Sequence, residues 1–148
     1  MDSATYLARI DSLCTGDLAA AHGESEAFMA GPGFRIESLA ASHELPADDV
    51  ARRLPAVEDF HALKEHMSLM LNARWGEQQP PWWMGTVVVR IDRGELIPEP
   101  WATVSALVDE VNLWQPPGTD RWLALGVTDR DLDDEVHLLA VVTDTDPP

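Results

Sequence analysis

Apolar residues recur through the first half of the chain at intervals of three and four. Tyr6, Leu7, Ile10, Leu13 and Cys14 form one such stripe behind the cap candidates Asp2 and Ser3, and Gly16 closes the segment. The spacing predicts a first helix, and Leu18 to His22 adds a turn before Gly23. Gly31-Pro32-Gly33 predicts a break, followed by a short helix over about Ile36 to Ser42. Pro46 and Pro55 each stand where a first-turn proline belongs and predict helices over about 46–53 and 56–74. The longer one carries the clearest stripe. Val57, Phe60, Leu63, Met67, Met70, Leu71 and Arg74 follow it, while Glu58, Asp59, Lys64, Glu65 and Ser68 lie off it.

Near Trp75 the period changes. Met84 to Ile91 contains the β-branched run Thr86-Val87-Val88-Val89, which predicts a strand. Asp92-Arg93-Gly94 then offers a three-residue hairpin loop, with Glu95 to Ile97 as the return strand. Glu99-Pro100 opens a predicted helix whose apolar face is Trp101, Val104, Leu107, Val108, Val111 and Trp114, ended by the QPPG stretch at 115–118. Trp122 to Val127 and Val136 to Thr143 predict two further strands, joined by the acidic loop at 129–134. The tail from Asp144 is expected to be loose. The fold class that follows is α+β, a single domain over 1–148. Its helical N-terminal half, to about residue 75, packs on a small, mostly antiparallel sheet of β-β-α-β-β order over about 83–143.

Composition narrows the function classes. With 148 residues and 45% hydrophobic residues the chain is long and apolar enough to bury its own core. It lacks an apolar run long enough for a bilayer, and the N-terminus has neither the basic region nor the apolar stretch of a signal peptide. We therefore expect a cytoplasmic protein. The formal net charge is −16; residues 1–75 hold six bases and twelve acids, residues 76–148 four and fourteen. Such a chain repels phosphate backbones and anionic membranes and attracts basic partners. The same charge also serves plain solubility.

The residue types that usually carry catalysis do not converge. Glu58, His61 and Glu65 share a helical face that could in principle hold a hard metal, but His66 lies about 140° round the helix from His61. A solvated face is the simpler reading. His22 and His43 stand outside any motif, and His137 occupies an otherwise apolar strand. Cys14 belongs to an apolar stripe, where burial makes a thiol inert. The glycines match neither a Walker loop nor a dinucleotide fingerprint. Asp129, Asp131 and Asp133 open like a calcium loop, yet Asp134 replaces its glycine and Ala140 its bidentate glutamate. Ile36 to Leu54 has the rhythm of a helix-turn-helix, but Asp48 and Asp49 would face phosphates with the wrong sign.

Aromatic residues are more informative. The stretch Trp75 to Met84 holds three of the six tryptophans. Trp101, Trp114 and Trp122 fall on predicted core faces, and Trp75 ends the long helix. Trp82 and Trp83 are adjacent, so in an extended chain they point to opposite faces: one is buried, the other is exposed or pinned against the N-terminal helices, and at most one can serve an outside partner. The expectation is a small acidic protein that binds another protein, a basic one being the favoured kind, in the manner of an inhibitor, an immunity protein or a regulatory partner. Trp82, Trp83, Asp129, Asp131, Asp133 and Asp134 are the candidate contacts. We expect no catalytic residue, metal, cofactor, nucleic acid or membrane. An enzyme or small-molecule binder with a pocket between the halves, and a helix-turn-helix regulator, are the alternatives.

Overall fold

Why the two central strands of the sheet read as unbroken apolar runs becomes clear from where their side chains go. In the computed structural model Leu123, Leu125, Leu138, Ala140 and Val142 belong to one buried cluster, whereas Ala124, Leu139 and Val141 belong to a second. Successive residues of a strand point to opposite faces, so the sheet is covered on both. The structure describes residues 3–15, 27–31, 33–41, 50–76, 82–128 and 136–148. These form helices α1 (Ser3–Thr15), α2 (Val50–Trp75), α3 (Gly85–Asp92) and α4 (Trp101–Leu107). The strands are β1 (Ala27–Gly31), β2 (Phe34–Ala41), β3 (Trp82–Trp83), β4 (Glu110–Trp114), β5 (Trp122–Val127) and β6 (His137–Thr143). They make one sheet in the order β1-β2-β6-β5-β4-β3, and each pairing is antiparallel.

The chain is thus α+β. On one face of the sheet Ile10, Leu13 and Cys14 of α1 join Phe60, Met67 and Leu71 of α2; on the other, Val87 of α3 joins Trp101 and Val104 of α4. Gly126 lets α4's end approach the sheet, since a Cβ there would come within 3.1 Å of the Val108 side chain. Among the described residues, no helix is long and apolar enough to cross a membrane.

Several predicted elements differ, each for a physical reason. Ile36 to Ala41 lies in β2 rather than a helix, because Phe34 and Ile36 feed one cluster, Leu39 the other, and β6 supplies a long ladder. Burial on both faces overrides the helical propensity of Glu37 to Ala41. The first helix of the helix-turn-helix alternative is therefore a strand. Helix α2 runs unbroken through Pro55, which forfeits one backbone bond near the helix start without ending it. Met84 to Ile91 is mostly helix α3. Its valines spread round the helix, with Val87 buried, Val88 half-buried and Val89 exposed. Gly94, at φ +89°, closes that helix where a hairpin was expected, and Glu95 to Ile97 pairs with no strand among the described residues. Helix α4 ends at Leu107, and Val111 to Trp114 lies in β4, buried on both faces. The β-β-α-β-β order is accordingly replaced by β3-α3-α4-β4-β5-β6. The turn at Leu18 to His22, the helix start at Pro46 and the acidic loop at 129–134 lie outside the described residues.

Two polar constructions tie the layers together. Lys64 and Ser68, expected off the apolar stripe, are buried, Lys64 with 4% of its surface exposed. With Asn72 they form one line along α2, spaced four apart, facing alternate residues of β4. Lys64 Nζ donates to the Glu110 carbonyl at 3.4 Å, Asn112 Nδ2 to Ser68 Oγ at 2.7 Å, and Trp114 Nε1 to Asn72 Oδ1 at 2.9 Å. The match of helix rise over four residues to strand rise over two keeps the seam in step. The tail is also tied down: the Trp101 indole donates to Thr145 O at 3.1 Å and the Trp122 indole to Asp146 Oδ1 at 3.0 Å.

Candidate functional site

The sheet ends at β3, where Trp82 opposes Val111 and Trp83 opposes Glu110. Alternation sends the two tryptophans to opposite faces, as their adjacency requires. Trp82 turns inward and meets the buried Trp101, ring centroids 5.3 Å apart at 59°. Trp83 is 55% exposed. Its ring lies over Gly85, where an added Cβ would overlap it, so the first residue of α3 must be small for the indole to rest there. Thr86 Oγ1 donates to the Trp83 carbonyl at 2.9 Å and fixes the chain as it leaves the strand.

Of the five large hydrophobic side chains exposed among the described residues, four (Trp83, Val89, Ile91 and Leu96) fall between positions 83 and 96. Leu96 is 98% exposed. The turn that presents it is built, not loose: Glu95 N donates to Arg90 O at 3.1 Å, and Arg90 Nε pairs with the Glu95 carboxylate at 3.3 Å. Exposed apolar groups gathered in one short segment make it a candidate interaction site, with Val89 and Ile91 on different sides of α3.

The other candidates are placed as follows. Asp129, Asp131, Asp133 and Asp134 lie outside the described residues. Glu58 and Glu65 are exposed and His61 half-buried; among the described residues no three His, Cys, Asp or Glu side chains are placed to hold a metal. Trp101 and Trp114 are buried, while Trp75 and Trp122 are half-buried against the two clusters. His137, of undecided orientation in the sequence, has Nδ1 2.8 Å from Ser38 Oγ, which also lies 3.1 Å from Ala40 O. This pair spans the β2–β6 register shift between Ser38 and Ala40, so it secures a bulge.

Cys14 is buried at the end of α1, whose last carbonyls accept from Arg121: Nη1 reaches Cys14 O at 2.8 Å. Burial, with the Asp11 charge adding to it, pushes the Cys14 thiol up to about 11 from 9.0, against the smaller opposing pull of Arg121 and Arg74. The neutral thiol is favoured in the folded state. Stability from this group is therefore complete below pH 9.0 and is lost as pH rises toward about 11. Iodoacetamide at pH 8 should label Cys14 slowly in the folded chain and quickly in denaturant; equal rates would contradict its burial.

No protein-family model, curated protein or solved structure matches the chain.

Proposed function

We propose that the chain acts by binding another protein, and that residues 82–96 form its docking surface. The observation that carries this reading is the gathering of Trp83, Val89, Ile91 and Leu96, four of five exposed large hydrophobics among the described residues, into one segment. Tryptophan is the residue type most often found at the energetic centre of protein interfaces. Here Trp83 is seated on Gly85 beside a neighbour, Trp82, that is anchored in the core, so little ordering is needed on association. A net charge of −16 gives long-range attraction to a basic partner and repels nucleic acid. An inhibitor, immunity protein or regulatory partner, held where other cytoplasmic proteins are, would need these features and no catalytic group.

Capture of binding proteins from the native lysate, with wild type and Trp83→Ala in parallel, tests this. The wild type is expected to retain a basic protein at low salt and to release it near 0.5 M salt, where screening shortens the Debye length to a few ångströms. Trp83→Ala should fold with stability close to wild type, because the ring is more than half exposed, yet retain at most about a tenth as much. Retention of the same proteins by both chains would overturn the assignment.

A further inference from the structure

We infer that the pair Trp83 and Glu110 forms a seat for one cationic side chain, a lysine or arginine on the partner protein; this rests on the docking surface proposed above and names what that surface recognises. The two residues are direct cross-strand partners. Met84 N donates to Asp109 O at 2.8 Å, so the neighbouring pair Trp83–Glu110 is of the kind whose backbones do not exchange hydrogen bonds. In such pairs the side chains stand closest, with Cβ atoms about 4.5–5.5 Å apart on one face. Both are exposed. Glu110 commits its backbone carbonyl to Lys64 Nζ, which holds the strand against α2, and the residue itself is exposed.

An aromatic face and a carboxylate side by side are the two halves of a cation site. The ring quadrupole attracts a guanidinium or ammonium over its face, and tryptophan does so best. The carboxylate then supplies a charge-assisted hydrogen bond to the same group. The net charge of −16 favours a cationic occupant and disfavours a second copy of this chain, which would bring equal negative charge to the same edge.

Titration of the full-length protein with the peptide acetyl-Gly-Arg-Gly-Arg-Gly-amide, followed by nitrogen–proton correlation spectra, tests the inference. A second titration uses the same peptide with citrulline, the neutral isostere, at both arginines. Saturable shifts are expected at the Trp83 indole and at the amides of residues 83 and 110. The citrulline peptide and the Glu110→Gln variant should each bind about tenfold more weakly. Equal binding of the two peptides, unchanged binding by Glu110→Gln, or shifts spread evenly over Glu58, Asp59 and Glu65 would overturn the cation seat. So would shifts at Trp83 produced by raising the protein concentration alone, which would mark a second copy as the occupant. If Glu110→Gln still captures a partner that Trp83→Ala loses, the docking surface stands and the cation seat fails. If both variants capture it normally, the docking surface fails as well.

Discussion

Trp101→Ala is expected to lower unfolding stability by about 3–5 kcal/mol, the usual cost of truncating a large buried aromatic. Trp101 is fully buried at the start of α4. It packs in the cluster that joins α3 and α4 to the sheet, meets Trp82 in a tilted ring contact, and ties the tail through its indole bond to Thr145 O. The substitution removes all three links at once. Trp101→Phe keeps most of the buried area and loses the hydrogen bond, so a smaller loss, on the order of 1–2 kcal/mol, is expected. Denaturant midpoints at unchanged slope measure both. A loss under about 1 kcal/mol for the alanine variant would mean that this face of the sheet is not packed as described.

The second large effect is expected at Glu37. This buried carboxylate on β2 accepts from Arg9 Nε of α1 at 3.0 Å and from Arg35 Nε at 3.4 Å, while Arg9 also bonds the carbonyls of Ser38 and Leu39. Glu37→Ala removes the carboxylate with which both Arg9 and Arg35 pair in a mostly buried site. Removal of one member of a fully buried pair costs about 3–5 kcal/mol, whereas exposed pairs contribute about 0–1. The Arg9 side chain is 32% exposed, so we expect about 2–3 kcal/mol, between those limits. Adding Arg9→Met and Arg35→Met to Glu37→Leu should recover much of the loss, because the burial cost of the charges disappears with them. Failure of the combined variant to exceed Glu37→Ala in stability would show that the ion group does more than neutralise itself.

The two predictions bear on opposite faces of the same sheet, and the faces were not equally legible. Helix α1 and the core of α2 follow from apolar spacing, since each buries a side that its own period defines, and strands β5 and β6 follow from unbroken apolar runs that bury both faces. The run Val87 to Val89 did not, because β-branched residues favour strands only until tertiary burial places one of them inside and one outside a helix. Val111 to Trp114 continued the three-four spacing of α4 by coincidence, and its burial on both faces comes from the two clusters that cover the sheet. The line of Lys64, Ser68 and Asn72 is invisible to a hydrophobic stripe, since its partners lie more than forty positions away on β4. At the candidate site, adjacency alone required Trp82 and Trp83 to diverge. Which one faces outward depended on Trp101, which claims Trp82. The exposed group from Val89 to Leu96 depended on α3 being a helix, and a strand reading hid it.

A docking surface at the β3 end of the sheet is tested most directly by hydrogen–deuterium exchange of the chain with and without its captured partner. The account predicts slowed exchange confined to residues 82–96 and to 109–111 on the neighbouring strand, with α1 and the β1–β2 hairpin unchanged. Slowed exchange on α1 or on β1–β2, with 82–96 exchanging as in the free chain, would contradict it.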